Sequence, residues 1–298
     1  METIIKTENL TKTFGYKTAV KNLNLTVNKG DIYGFIGKNG AGKTTAMRMI
    51  TGLCFPTSGK IELFGGEDLD SARKKTGSLI EAPSLFNGCT AYENLKRFSY
   101  LTGATDEEIY NVLLLVGLAD TGNKKVKFFS LGMKQRLGLA AALLGKPEML
   151  ILDEPVNGLD PEGIKFVRDL LLKLNREQGV TILISSHLLD ELSKIATKYG
   201  IINDGVLVDE ITAEALNEKC SVYLKIKTSD NLTAFKTLSP LYPDGDVFID
   251  GDHLVVKNVS EGEKPGAKLF GAGVSVNEMT TEKRGIEEYF INKISGRG

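Results

Sequence analysis

Up to about residue 211, short apolar runs alternate with longer amphipathic segments. Residues 31–36, 149–152 and 180–185 have strand length, and Met149-Leu150-Ile151-Leu152 is apolar throughout, as in a strand buried on both faces. Helical periodicity follows each run, over 42–51, 161–177 and 188–198. Strand-then-helix alternation predicts an α/β body with a mixed, mainly parallel sheet covered by helices. Between Glu81 and Pro147 the pattern is mostly helical, over 92–101, 106–116 and 131–144, which predicts a helical subdomain at about 84–147. The character changes near Asn217. Val222, Leu224 and Ile226 alternate with Tyr223, Lys225 and Lys227, the pattern of a half-buried strand. Leu232, Phe235 and Leu238 share one helix face, Asp250-Gly251 reads as a hairpin turn, and Ile286, Tyr289, Phe290 and Lys293 describe a last amphipathic helix. Two domains are therefore expected: 1–216, and a small α/β domain at 217–298 near the lower comfortable limit for independent folding.

Composition narrows the function classes. Lys and Arg number 37 and Asp and Glu 38, a net charge of -1. That balance argues against a DNA coat or polybasic membrane binder, so no nucleic-acid partner is expected. No apolar run reaches the roughly 18–20 residues of a membrane span, and the acidic start, with Glu2 and Glu8, does not read as a secretion signal. Cys54, Cys89 and Cys220 lack metal-like spacing and read as reduced thiols of a cytosolic protein. With only His187 and His253, His-rich metal sites are excluded. Glycine is frequent, 32 of 298 residues or about 11% against roughly 7% on average, so many backbone positions must do without a side chain.

One cluster of those glycines carries chemistry. Gly37-Lys38-Asn39-Gly40-Ala41-Gly42-Lys43-Thr44 fits G-x-x-x-x-G-K-[ST], with a strand before it and a helix after it. Average usage gives such a match by chance in roughly one chain of this length in a hundred. A polyphosphate needs several N–H donors converging from one loop. Glycines permit that loop and the close approach, and the helix N-terminus adds favourable partial charge. Lys43 then reaches the β- and γ-phosphates and the Thr44 hydroxyl binds Mg²⁺, with Thr45 completing the cradle; the bland alternative is a glycine-rich turn with a solvated lysine. The apolar run at 149–152 ends in Asp153-Glu154-Pro155. Ligands of open parallel sheets bind at the carboxyl ends of strands. Asp153 is therefore expected to hold Mg²⁺, and Glu154, one residue on, to accept a proton from attacking water; the alternative is two exposed acids in a loop.

Further along stand Ser130-Leu131-Gly132 at a helix start, Asn157-Gly158-Leu159-Asp160, and Ser185-Ser186-His187. In that order, with the phosphate loop and the acidic strand end, these pieces resemble the nucleotide-binding subunit of ATP-binding cassette (ABC) transporters over about residues 3–211. The resemblance implies a P-loop ATPase that hydrolyses ATP with Mg²⁺ at the cytoplasmic face of the membrane and powers a separate permease. It implies two copies face to face, with Ser130 and Gly132 contacting the γ-phosphate held by the other copy and Asp160 crossing the interface. His187 matches the switch histidine, and Phe14 the aromatic that stacks on adenine, with Tyr16 the second candidate. Asp160 before Pro161 equally reads as a helix N-cap, and Ser130 as another.

The sequence also departs from the family pattern. Phe129, Leu131 and Met133 replace commoner residues around Ser130, and Glu81 stands where most members have Gln. A carboxylate about 4 Å from a γ-phosphate oxygen costs up to about 4 kcal/mol at an effective dielectric near 20, and Mg²⁺ between them cancels or reverses that cost. Glu81 is accordingly a candidate ligand of the metal and nucleotide. Glu81, the Ser-Leu-Gly-Met-Lys-Gln stretch and the small C-terminal domain ending Glu287-Glu288-Tyr289-Phe290 resemble the bacitracin and lantibiotic export and immunity group. That implies export of an antimicrobial peptide, drug or lipid. The alternatives are a soluble ABC ATPase without transport, or an ATP-gated binding module with little hydrolysis.

Overall fold

In the computed structural model, which describes residues 2–220, 222–243, 245–257, 259, 265–283 and 286–294, the chain opens with β1 (Thr3–Phe14), β2 (Lys17–Leu23), β3 (Thr26–Asn28) and β4 (Ile32–Ile36). Next come α1 (Lys43–Ile50), β5 (Ser58–Leu63), α2 (Leu69–Lys74) and β6 (Thr76–Leu79), then the helices α3 (Ala91–Thr102), α4 (Asp106–Leu115) and α5 (Leu131–Leu143). The chain continues through β7 (Met149–Asp153), α6 (Pro161–Gln178), β8 (Thr181–Ser186), α7 (Leu189–Leu192), β9 (Lys198–Asn203) and β10 (Val206–Thr212). Contacts divide the chain into two compact units. One runs to Ala213 and takes in Asn292–Ile294; the other lies within Glu214–Ile291.

The first unit holds two sheets. Six strands run in the order β10-β9-β4-β8-β7-β6, and all neighbouring pairs are parallel except β10 with β9. β4, β7 and β8 are buried at every residue, as strands flanked on both faces must be. Because the parallel strands point the same way, their carboxyl ends lie together: Ile36 is level with Ser186, Asp153 with Ser185, and Leu79 with Leu152. The second sheet is antiparallel: β1 pairs with β2, β3 and β5, and β3 and β5 take opposite edges of it, since both pair with Ile5 and Lys6. The alternation reading does not anticipate it. Register shifts around Leu10–Thr13 and a positive φ of 49° at Asn9 break the period-two pattern of β1. Met47 and Met49 of α1 join Leu10 and Leu23 of this sheet and Phe35, Ile151 and Leu183 of the parallel sheet in one buried cluster.

One expectation fails. The helix expected over 188–198 is the four-residue α7, and Lys198 already opens β9. Leu192, Ile195 and Ala196 have helical spacing and are buried, but Thr197 is captured by the sheet. Its N–H donates to the Ile32 carbonyl (2.9 Å) and its Oγ1 accepts the Ile32 N–H (3.0 Å). Sheet pairing here overrides helical periodicity.

The second unit contains most of α8 (Ala213–Lys219), then β11 (Val222–Thr228), α9 (Asn231–Leu238), β12 (Val247–Asp250), β13 (His253–Lys257), α10 (Pro265–Gly271) and β14 (Val276–Lys283), and the start of α11 (Ile286–Ile294). From β11 to β14 the order is β-α-β-β-α-β, folded as the antiparallel sheet β12-β13-β11-β14, a ferredoxin-like topology. Leu224, Ile226, Leu254 and Val256 pack against Ala234, Leu238 and Leu269 of α9 and α10. The expected β12–β13 turn forms one residue further on, at Gly251-Asp252, with Asp250 still paired to His253. Among the described residues no helix is long and apolar enough to cross a membrane.

Candidate nucleotide-binding site

β4 feeds straight into the 37–44 loop, which turns into α1. A Cβ on Gly37 would run into the Ile202 carbonyl, and one on Gly42, at φ +110°, would stand 2.5 Å from the Ala19 carbonyl. Both positions therefore require glycine. Gly42 is the N-cap of α1 and offers no side-chain cap, and the first turn of the helix carries no acidic residue. The N-terminal N–H groups thus present partial positive charge with no carboxylate to quench it. Lys43, almost fully buried, folds back over the loop: its Nζ donates to the Gly37 carbonyl at 2.6 Å and the Lys38 carbonyl at 3.3 Å. Lys38, Asn39 and Gly40 are exposed at the loop tip, while Ala41 is buried.

Beside the loop, at the ends of β7 and β8, lies a closed set of hydrogen bonds. Asp153 is only 3% exposed, and such a buried carboxylate must be fully partnered. Thr44 Oγ1 donates to its Oδ2 at 2.7 Å and Ser185 Oγ to its Oδ1 at 2.6 Å. The Glu154 N–H points to both Ser185 Oγ (2.9 Å) and the Ser185 carbonyl (3.2 Å), which pins Glu154 at a left-handed φ of 49°. Its Oε2 meets His187 Nδ1 at 2.7 Å and the His187 N–H at 3.3 Å. Its Oε1 is enclosed without a hydrogen-bond partner, 3.8 Å from Lys43 Nζ. One acceptor oxygen is thus held in place and left unused beside the phosphate loop, where an unsatisfied buried group calls for an explanation.

Lys43, Thr44, Asp153, Glu154 and His187 therefore come together beside the 37–44 loop; Phe14, Tyr16, Thr45, Glu81, Ser130, Gly132 and Asp160 take no part in these contacts. Phe14, at the end of β1, is 53% exposed with Lys12 Nζ 4.9 Å from its ring centroid, and Tyr16 is fully exposed. Thr45 is half-buried on α1. Glu81 pairs with Arg48 (Oε1 to Nη2, 2.9 Å) instead of joining the Thr44–Asp153 hydrogen bonds. Ser130, Gly132 and Asp160 line a separate cleft of about 660 Å³ to which the phosphate loop contributes nothing. Ser130 caps α5 by accepting the Met133 N–H (3.2 Å), and Asp160 caps α6 by accepting the Gly163 N–H (2.9 Å).

Sequence reasoning gives no role to two residues. Ser185 orients both acids; its signal is a hydroxyl ending a run, Thr181-Ile182-Leu183-Ile184, that is otherwise largely apolar and wholly buried. Arg48 has no signal in the sequence, because its partner is 33 residues away.

Comparison with known proteins gives the family. Residues 20–157 match the ABC transporter family. The chain is 41% identical over 303 residues to the bacitracin transport ATP-binding protein BcrA of Enterococcus faecalis, covering 100% of this chain and 98% of that one. It is 44% identical over 207 residues to the lantibiotic transport ATP-binding protein SrtF of Streptococcus pyogenes, covering 70% and 90%. Among solved structures, the dimeric post-hydrolysis state of the ATP-binding cassette MJ0796 bound to ADP and Pi overlays with a TM-score of 0.64 at 26% identity, covering 70% of this chain and 99% of that one. A phosphate loop and acid pair of this geometry, with similarity running the full length of a transport subunit, mean that the chain belongs to the ATP-binding, ATP-hydrolysing subunits of ABC transporters.

Proposed function

We propose that this chain hydrolyses magnesium-bound ATP as a face-to-face pair of copies at the cytoplasmic face of the membrane. There it drives a separate permease that exports an antimicrobial peptide of the bacitracin or lantibiotic kind. The observation that carries the chemistry is Glu154, with one oxygen tied to His187 and the other enclosed and unpartnered near Lys43. The cargo class rests on the names of the relatives with 41% and 44% identity. The pairing rests on the dimeric neighbour and on the position of Ser130, Gly132 and Asp160 in a cleft apart from the phosphate loop.

In this reading Gly37, Lys38, Asn39, Gly40, Ala41, Gly42, Lys43, Thr44 and Thr45 wrap the β- and γ-phosphates, with Lys43 moving from the loop carbonyls to the phosphate oxygens. Phe14 stacks on the base. The Thr44 hydroxyl and the Asp153 carboxylate are hard oxygen donors, 2.7 Å apart, of the kind that suits Mg²⁺, and Glu81 is a further candidate. Magnesium, when bound, draws negative charge off the phosphates. Glu154 Oε1 takes a proton from water as the water oxygen bonds to the γ-phosphorus. The bond from that phosphorus to the bridging oxygen breaks, leaving ADP and phosphate. His187 keeps the carboxylate turned toward the water, and Ser130 and Gly132 of the second copy bind the γ-phosphate from the opposite side.

Titration calorimetry with a non-hydrolysable ATP analogue and Mg²⁺ should give a heat of binding, and the purified chain should release phosphate from ATP. No binding heat would end the reading. Expression together with its permease should raise the bacitracin tolerance of a sensitive bacterium; unchanged tolerance to bacitracin and lantibiotics would remove the cargo assignment alone.

A further inference from the structure

We propose that Arg48 is a positioning residue for the Glu81 carboxylate, holding it against the flank of α1 and matching its charge beside the phosphate loop. This rests on the nucleotide reading above. Arg48 comes four residues after Thr44, so the two lie one above the other on the same face of α1. Thr44 is bonded to Asp153 and Arg48 to Glu81, so a single helix row addresses two acidic strand ends. The sheet register gives the same arrangement. Leu79 of β6 is level with Leu152 of β7, and Glu81 lies two residues past one as Glu154 lies two past the other. Paired strands run about 4.8 Å apart, so three carboxylates, Asp153, Glu154 and Glu81, leave the sheet at one end.

Each has its own counterpart. Asp153 has two hydroxyls, Glu154 has His187 with Lys43 nearby, and Glu81 has Arg48 at 2.9 Å. Glu81 also sits at a left-handed φ of 61°, which a residue other than glycine keeps when its surroundings fix it. The ion pair supplies one such constraint. With Arg48 in place, the extra acid stays on α1 with its charge met. With Arg48 removed, an unmatched carboxylate stands near the place of the terminal phosphate, and a triphosphate suffers more than a diphosphate.

The plain structural alternative is a cation near the carboxyl end of α1 that favours the helix dipole. Fluorescent triphosphate and ADP binding in Mg²⁺ separates the two. Arg48→Met should weaken triphosphate binding about three- to five-fold and ADP binding less than about two-fold, the range of a partly exposed ion pair. Arg48→Lys should restore most of the loss, and in a Glu81→Gln background Arg48→Met should have almost no effect. Equal losses for both nucleotides, or a triphosphate loss that persists undiminished with Glu81→Gln, would overturn the proposal. If Arg48→Met fails to fold, Arg48→Gln compared in the Glu81 and Glu81→Gln backgrounds carries the same test. An unmodified chain that binds no triphosphate would instead sink the nucleotide reading itself.

Discussion

The parallel sheet of the first unit and the antiparallel sheet of the second both carry polar side chains, yet the two use them differently. In the first unit five parallel strands bring their carboxyl ends to one place. Loops from β4, β6, β7 and β8 deliver Lys43, Glu81, Asp153, Glu154 and His187 there, and one carboxylate oxygen is left without a partner. In the second unit the strands alternate in direction, so no end collects all the loops. Its polar side chains pair across the sheet instead: Tyr223 with Glu282 at 2.7 Å, Lys225 with Glu282 at 3.0 Å, and Lys227 with Asp252 at 2.6 Å. Such pairs steady a sheet by fractions of a kcal/mol and leave little over for chemistry. Strand direction decides which sheet concentrates unsatisfied groups.

The largest test of this contrast is Glu154→Gln. The amide keeps the size of the side chain and loses the proton acceptor. Phosphate release should fall by about 10²–10⁴, with triphosphate affinity within a few-fold of the unmodified chain. Turnover at the original rate would mean that the spare oxygen is not the base. Next comes Gly37→Ala, which pushes a methyl group into the Ile202 carbonyl. Overpacking against backbone costs roughly 1–3 kcal/mol and should shift the urea midpoint and weaken triphosphate binding together. Gly251→Ala in the β12–β13 turn, where a Cβ meets open space, should leave nucleotide binding untouched. If it does not, the division of labour between the two sheets is wrong.

A smaller effect separates two roles for Asp160. As the N-cap of α6 it accepts the Gly163 N–H, so Asp160→Ala should cost about 1 kcal/mol in denaturant unfolding, while Asp160→Asn keeps the cap. A loss of turnover in the Asn variant, at unchanged stability, would mark work at an interface between copies. Equal behaviour of Asn and the original residue in both measurements would leave Asp160 a cap and nothing more.

What the sequence made legible follows the same line. The 37–44 loop can be read from spacing because phosphate binding dictates glycine at fixed intervals within eight residues. The acid pair follows because it ends an all-apolar run. Local periodicity also marks α5, α6, β7 and β11 close to their observed limits. The reading stops where distant contacts decide. β1 hides behind its irregular register, and the segment after His187 looks helical until Thr197 is drawn to Ile32. Arg48 and Glu81 are brought together only where the chain past β6 meets α1, and no window along the chain contains both. Ser185 is visible in the sequence, but its two bonded neighbours, Asp153 and the Glu154 N–H, come only with the β7–β8 pairing.

The smallest effect belongs to the second unit and concerns pH. Asp230 caps α9: its carboxylate accepts the Thr233 hydroxyl at 2.6 Å and the Thr233 and Leu232 N–H groups at 3.2 and 3.0 Å. The Thr233 hydroxyl first, then the backbone N–H groups, hold its pKa below the usual aspartate value. A folded value below the unfolded one of about 3.9 means that the carboxylate stabilises the fold above that pH, and that this contribution disappears as pH falls through the folded value. Asp230→Asn keeps an acceptor oxygen and removes the charge. Its stability difference from the unmodified chain should be constant above about pH 5 and shrink steadily below about pH 4, as followed by thermal unfolding of the full chain. The Asp230→Asn change should leave phosphate release at pH 7 unaltered, because Asp230 lies in the unit whose polar groups pair with one another. A pH-independent difference would remove the charged cap, and altered turnover would show that the second unit has a part in the chemistry of the first.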